Sequence, residues 1–262
     1  MADDAARFLA DSPDRLALLE RLREGASGPA TLADELDCAR RSVQRHLAAF
    51  EERGWVTSGS AGYRLTATGD AVAAAHADYL DRLDCVGRFA PLLANLDPAH
   101  APAPELLAGA DLVAAEAADP QAPIQAYVEH LRGFSGERLE LCSPVLSRAF
   151  HEAHANLARR GVHTTLLLSE ATAREAHDRN PMEFTAVLRL GVVDLFARPD
   201  PLPFGLAVDG EQVLLAAYDG DGHLQACVHG DDPDLVDWAT SQFEALRQSA
   251  ERVQSSRDLE PS

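Results

Sequence analysis

Apolar positions in the first hundred residues recur at helical spacing and stop where glycine, proline or aspartate interrupts them. Asp14–Arg23 carries Leu16, Leu19 and Leu22 at i, i+3 and i+6, which predicts a helix with one buried stripe. GASGP then breaks it, and Thr31 opens a second short helix, TLADEL. Thr31 and Asp34 stand at the spacing of a capping box, and Leu32 and Leu36 share one face. After a turn at Asp37–Ala39, Val43, Leu47 and Phe50 recur at i, i+4 and i+7 and point inward. Arg41, Gln44, Arg45 and Ala48 fall on the opposite face. Gly54 closes that helix at C′. Val56 and Thr57 lead into a hairpin with a tip at Ser58–Gly62, and Tyr63 and Leu65 alternate on the return strand. Thr68–Leu93 reads as one long helix. Its stripe of Val72, His76, Tyr79, Leu83, Val86 and Ala90 packs on its own chain or on a second copy. ANLDPAHAPAPE, rich in proline and alanine, reads as a linker.

Beyond Glu105 the texture changes. Ala122–Leu131 is helical, RLELC and HTTLLL are β-branched or apolar runs suited to buried strands, and SPVLSRAFHEAHANLARRG between them is a helix closed by Gly161. Helical stretches follow around Glu170–His177 and Met182–Leu190. VVDLFA, PFGLAVDG, EQVLLAAYDGDG and LQACVHGDD then read as short strands with glycine or Asp-Gly turns, and Asp234–Val253 as a closing helix. The fold class is α+β, with a mixed α/β layer structure as its second part. The expected domains are 1–67, a connecting helix and linker over 68–104, an α/β domain over 105–254, and a disordered tail over 255–262.

Composition sharpens this. The chain has 262 residues, enough for two cores, and no apolar run of membrane-spanning length. The acidic N-terminus lacks a basic, apolar leader, so a cytoplasmic protein with no membrane partner is expected. Cys38, Cys85, Cys142 and Cys227 form no C-x-x-C pair, so neither a disulfide framework nor a zinc knuckle is expected. The formal net charge is −19, and the 23 basic residues are all arginine. Excess carboxylate with no lysine resembles proteins of extreme halophiles, whose acidic surfaces keep them soluble in concentrated salt. Against that background Ala39–Phe50 holds three arginines and no acid.

TLADELDCARRSVQRHLAAFEERGWV followed by YRLTATGDAV resembles the archaeal winged helix-turn-helix transcription regulators. The resemblance implies double-stranded DNA as partner, with the second helix of the motif in the major groove. Arg40, Arg41, Ser42, Gln44 and Arg45 would then meet base edges, with His46 at the flank and Arg64 of the wing on phosphate or in the minor groove. A plain solvated helix face is the competing account of the arginines. A homodimer would suit a two-fold operator. The alternative function is a non-catalytic interaction module whose winged helix binds protein.

PFGLAVDGEQVLLAAYDGDGHLQACVHGDDPDLVDWA resembles the C-terminal region of haloarchaeal and methanogen regulators, a sensor-type domain related to the TrmB-like, phospholipase-D-like group. That resemblance implies effector sensing or dimerisation. Phospholipase-type catalysis needs a histidine and, two residues on, a lysine. This chain has no lysine, so no enzyme activity and no catalytic residues are expected. His151 and His154 with Glu152 lack a third ligand at telling spacing, so no metal and no cofactor are expected. Ligands of layered α/β folds gather at strand C-termini. That nominates Cys142, Ser143, Ser169 and Glu170, with Phe204 and Tyr218 on the meander side, for a small effector. Packing and capping roles compete at each, and Cys142 reads as a redox thiol or an inert buried one.

Overall fold

The computed structural model describes residues 2–145 and 148–259, which divide into two compact units, Met1–Asp84 and Cys85–Ser262. Part of the helix expected at 143–161, residues 146–147, and the chain end 260–262 lie outside the described residues.

The first unit runs α1 (Ala2–Ala10), α2 (Pro13–Arg23), α3 (Pro29–Glu35), α4 (Arg40–Glu52), the hairpin β1 (Val56–Gly59) and β2 (Gly62–Leu65), and α5 (Ala67–Arg88), whose last residues belong to the second unit. Val43, Leu47 and Phe50 are fully buried, as their spacing requires. They meet Leu19, Leu22, Leu32, Trp55 and Ala73 in one core. Two details differ from the sequence reading. On α2 the buried stripe is Leu18, Leu19 and Leu22, with Leu16 half-buried. Helix α3 starts at Pro29 with Gly28 as N-cap, so Thr31 lies inside the first turn and caps nothing. Proline's fixed φ and missing N–H suit it to the first helical position, and this moves the start two residues earlier.

Helix α1 extends the core where no element was expected. Its Phe8 ring meets Trp55 at 5.6 Å, edge on, and the guanidinium groups of Arg15 and Arg53 lie 4.0 and 3.8 Å from its centroid. The hairpin is antiparallel, pairing Val56 with Leu65 and Gly59 with Gly62. Ser27 bridges to it from outside: the Ser27 N–H donates to the Tyr63 carbonyl at 3.0 Å, and the Tyr63 N–H to the Ser27 carbonyl at 2.9 Å. Gly62, at φ +106°, is required there, because a Cβ would stand 2.4 Å from the Ser27 oxygen.

The second unit opens with α6 (Ala90–Leu93), so the predicted long helix is interrupted. Phe89 leaves helical geometry at φ −94°, ψ 11°, two residues before Pro91 in the new first turn. The proline-alanine stretch is not a free linker: Leu96 is buried in the unit's main core and Ala101 packs against it. Then come β3 (Asp111–Ala114), α7 (Ala122–Gly133), β4 (Arg138–Cys142), α8 (Arg148–Arg159), β5 (His163–Ser169), α9 (Glu170–Arg179), α10 (Pro181–Leu190), β6 (Val193–Arg198), β7 (Gly205–Val208), β8 (Val213–Tyr218), β9 (Leu224–Gly230), α11 (Pro233–Arg247) and β10 (Glu251–Arg252).

One eight-stranded sheet holds the unit together, in the order β10-β6-β5-β4-β7-β8-β9-β3. Strands β4, β5 and β6 are parallel, and the meander β7–β8–β9 and the outer strands are antiparallel. Alternation sorts the side chains onto two faces. Leu206, Val208, Val213, Leu215 and Ala217 pack with Val236, Ala239 and Phe243 of α11. Leu139, Leu141, Ala207, Leu214 and Ala216 pack with Tyr127, Leu131, Phe150 and Leu157 of α7 and α8. Because both faces are covered, β7 and β8 are apolar almost throughout rather than alternating. The expected disordered tail is ordered as far as Leu259, which is buried beside Leu168, Ala173 and Val253 and whose carbonyl accepts from Arg174 Nε at 2.7 Å.

Candidate nucleic-acid interface

Helix α4 begins at Arg40 with Ala39 as N-cap, no side-chain cap and no acid in its first turn. Arg40 and Arg41 therefore stand at the positive end of the helix dipole, where acids are the stabilising choice. Arg40, Arg41, Gln44 and Arg45 are exposed, as is Arg64 on β2, while Ser42 is half-buried with its N–H bonded to Ala39 O at 2.7 Å.

His46 corrects the expectation. It is only 3% exposed and accepts from Arg15 Nε at 3.4 Å through Nδ1. Burial, then the charges of Arg15 and Arg45, push its pKa down. Val43, His46, Leu47 and Phe50 form one inward stripe, so His46 packs the core and does not face outward.

The arginines of this unit fall into two groups. Arg7 pairs with Asp3, Arg15 with Asp11, Arg21 with Glu24 and Glu35, Arg23 with Asp70 and Arg53 with Asp4, and Arg82 is likewise engaged. Among the described residues, Arg40, Arg41, Arg45 and Arg64 form no ion pair. Within this unit the exposed arginines of α4 and the hairpin are the uncompensated ones, in a chain of net charge −19.

The nominated effector residues are brought together at the C-terminal ends of β4 and β5, but as packing. Cys142 is fully buried against the Phe204 carbonyl, and burial pushes its thiol up to about 12. The Ser143 hydroxyl donates to Val145 O at 2.7 Å. Ser169 caps α9, accepting from the Thr172 N–H at 3.0 Å, and Thr172 Oγ1 reaches Pro144 O at 3.2 Å. Glu170 pairs with Arg174. Phe204 is fully buried and meets His100 edge on at 5.9 Å. The Tyr218 hydroxyl is buried beside Ser143, and burial, the larger effect, raises its pKa while Ser143 pulls it the other way.

Two groupings carry metal-type ligand residues. His154 Nε2 contacts the Tyr127 hydroxyl at 3.4 Å, and the His151 side chain lies outside the described ones. Asp219, Asp221 and His223 cluster on the β8–β9 turn, where Asp219 Oδ1 accepts the backbone N–H groups of Asp221 and His223 at 3.0 and 2.8 Å and closes the turn. Among the described residues no helix is long and apolar enough to cross a membrane.

The fold and surface thus define a chain of two units, a helical module with an uncompensated basic helix followed by a three-layer sheet unit. Residues 3–88 match the family described as HVO_A0261 N-terminal domain, and residues 120–249 match the family described as methanogenesis regulatory protein FilR1, middle domain. The chain is similar in structure to TrmBL2, an archaeal chromatin protein reported to show a novel mode of DNA binding. The identity is 16%, over 96% of this chain and 99% of that one, with a TM-score of 0.43. It is similar to NucT from Helicobacter pylori at 10% identity, over 55% of this chain and 98% of that one, with a TM-score of 0.44. It is similar to Nuc, a phospholipase D family member from Salmonella typhimurium, at 10% identity, over 56% and 99%, with a TM-score of 0.43. No curated protein shows significant sequence similarity to the chain.

Proposed function

We propose that this chain is a cytoplasmic DNA-binding transcription regulator, in which the first unit acts as a winged helix-turn-helix and α4 enters the major groove of double-stranded DNA. The observation that carries the reading is the set of exposed, uncompensated arginines, Arg40, Arg41, Arg45 and Arg64, in a unit whose other arginines are engaged. An acid-free helix N-terminus adds its dipole to theirs, and phosphate is the partner that such a surface suits. Arg41, Gln44 and Arg45 share the outward face, with the donor patterns that pair with guanine and adenine edges. Arg64 on the hairpin reaches phosphate or the minor groove. The family match of residues 120–249 to a domain of a regulatory protein supports a regulatory, non-catalytic role for the second unit, in effector sensing, dimerisation or both. A dimer reads the two halves of a palindromic operator.

Fluorescence anisotropy on DNA from the gene's own upstream region, in concentrated KCl, tests the reading. Arg41→Ala and Arg45→Ala each weaken binding by about 1–3 kcal/mol where the side chain reads a base, and Arg21→Ala, already paired with Glu35, leaves it unchanged. Affinity falls only shallowly with added KCl, because counterion release contributes little in strong brine. Binding that is indifferent to Arg41 and Arg45 sinks the groove assignment, and a complete absence of DNA binding favours a protein-interaction module.

A further inference from the structure

A third grouping of ligand-type residues lies in the second unit, on the side of the sheet that α7 covers. Alternation along β9 puts His229 on the same face as Cys227, and alternation along β3 puts Asp111 on the same face as Val113. Cys227 and Val113 both pack in the core beneath α7 and α8. The β3–β9 register sets Asp111 directly opposite His229, with Cβ atoms about 5 Å apart. His130, from the last turn of α7, lies against His229, the ring centroids 4.3 Å apart and the planes tilted by 53°. These residues come from three elements and His229 is far in sequence from the other two, so no spacing rule reveals them.

Among the described residues, neither ring nitrogen of His130 makes a hydrogen bond and the Asp111 carboxylate accepts none. A half-buried imidazole with both nitrogens unused is a donor set in want of a partner. His229 Nε2 stands 3.4 Å from the Gln212 amide oxygen. With the proton on Nε2, donated to that oxygen, Nδ1 keeps the lone pair that a metal takes, and the contact orients the ring. Asp209, in the β7–β8 turn, is close enough to bear on the His130 charge, and it adds negative potential while its Oδ1 holds the N–H groups of Glu211 and Gln212 at 2.8 and 2.7 Å.

We propose that His130, His229 and Asp111 bind one divalent transition-metal ion of the zinc type, with water completing its shell. Two imidazoles and a carboxylate form a donor set suited to such ions, and imidazole nitrogen selects them over magnesium and calcium, which take oxygen. Metal–nitrogen bonds of about 2.1 Å set two ligating rings about 5 Å apart between centroids, so the pair opens by roughly 1 Å on binding. His229 is half-buried and Asp111 is exposed on the edge strand β3, so both have room to turn. The bound ion ties β3 and α7 to β9. The grouping of Asp219, Asp221 and His223 is the weaker candidate because its turn already uses it: Asp219 Oδ1 holds two backbone N–H groups, and Oδ2 accepts from Gln225 Nε2 at 2.7 Å. The site lies within the second unit and its test uses no DNA, so it stands apart from the DNA-binding reading.

Isothermal titration calorimetry of the untagged full chain, stripped with EDTA and exchanged into KCl buffer at neutral pH, decides it. Zinc chloride binds at one ion per chain with a Kd of about 10 µM or tighter, and excess magnesium does not displace it. His130→Phe and His229→Phe keep a ring in place but remove the nitrogens, and each weakens zinc binding by about ten-fold or more, with circular dichroism confirming the fold. Asp111→Asn, at an exposed position, weakens it by about three-fold or more. Asp221→Asn with His223→Gln leaves it unchanged. Zinc also raises the urea midpoint of wild type and shields His130 and His229 from diethyl pyrocarbonate, as peptide mass spectrometry reads. A wild-type chain that takes up no zinc in this range overturns the proposal. So does binding by His130→Phe, His229→Phe or Asp111→Asn equal to that of wild type, or its loss in the Asp221 and His223 double variant.

Discussion

Helix α5 contains two glycines whose replacement by alanine is expected to act in opposite directions. Gly69 sits in the first turn, where Thr66 Oγ1 accepts its N–H at 3.1 Å. A Cβ at Gly69 would stand 2.0 Å from the Trp55 carbonyl oxygen and 2.8 Å from its carbon. Both contacts are backbone, so relief requires the helix start and the β1 lead-in to part by about 1 Å, an overpacking that costs about 1–3 kcal/mol. The same carbonyl accepts the Thr66 N–H at 2.9 Å and Thr66 Oγ1 at 3.1 Å, bonds worth about 1 kcal/mol each that stretch as the elements separate. Alanine returns up to about 1 kcal/mol of helix propensity, less in a first turn than in the interior. The net expectation for Gly69→Ala is a loss of about 2–3 kcal/mol. Gly87, near the other end of the same helix, has nothing within 4 Å of where a Cβ would stand. There Gly87→Ala gains about 0.5–1 kcal/mol. Urea unfolding at fixed high salt reads Gly69→Ala in the first unit by Trp55 fluorescence in a Trp238→Phe background, and Gly87→Ala in the second unit by Trp238 fluorescence in a Trp55→Phe background. A Gly69→Ala midpoint equal to or above that of the parent refutes the close-approach argument, because nothing else at that position opposes alanine.

Other expectations follow from titration and thiol burial. Burial, helped by His229 at a ring separation of 4.3 Å, pushes the His130 imidazole down from 6.5 to about 4, with Asp209 pulling weakly the other way. A histidine held neutral in the fold stabilises it fully above its unfolded pKa, and that contribution is lost as pH falls from about 6.5 through about 4. After discounting for partial exposure it is on the order of 2 kcal/mol, so His130→Phe flattens the fall in urea midpoint between about pH 7 and about pH 4.5. An unchanged slope refutes this. Cys142 and Cys227 are buried with thiols pushed up to about 12, whereas Cys38 and Cys85 are half-buried with smaller upward shifts. Iodoacetamide at neutral pH therefore labels Cys38 and Cys85 first, as peptide mass spectrometry would show, and early labelling of Cys142 would contradict its burial.

Much of the fold was legible because the stripes are local. Val43, Leu47 and Phe50 announce α4 by spacing alone, and the near-unbroken apolar runs of β7 and β8 announce strands covered on both faces. What escaped depends on distant partners. The Ala2–Ala10 helix is mostly polar and small, and two side chains, Phe8 docked on Phe50 and Trp55 and Leu9 buried in the same core, give it a reason to fold there. Strand β3 is four residues whose sole pairing is with β9, more than a hundred positions on. The proline-alanine stretch looked like a linker because composition reports flexibility, whereas its one leucine, Leu96, in the core and Ala101 packed against that core decide its packing. The break at Phe89 was readable, since Pro91 two residues later favours a new helix start over continuation.

The basic surface divides along the same line. Within α4 no acid stands three or four residues from Arg40, Arg41 or Arg45, but Asp37 in the preceding turn is three residues from Arg40 and four from Arg41, so their freedom from local ion pairs is shown by the structure and not by spacing alone. By the same rule Arg7 with Asp3, Arg15 with Asp11 and Arg21 with Glu24 are readable as local pairs. The pairs Arg23–Asp70 and Arg53–Asp4 are not, and they make the contrast meaningful, because the fold carries acids to distant arginines and still leaves those of α4 alone. His46 shows the reverse case. Its place between Val43 and Leu47 on the inward stripe was visible, but histidine's polarity argued for the surface, and only Arg15, thirty-one residues away and donating to Nδ1, explains how the ring is accommodated inside. An acidic protein can pair an arginine almost anywhere at little cost. A helix that keeps three arginines exposed and unpaired, two of them at its positive end, forgoes that stabilisation, and a polyanion approaching that end restores it.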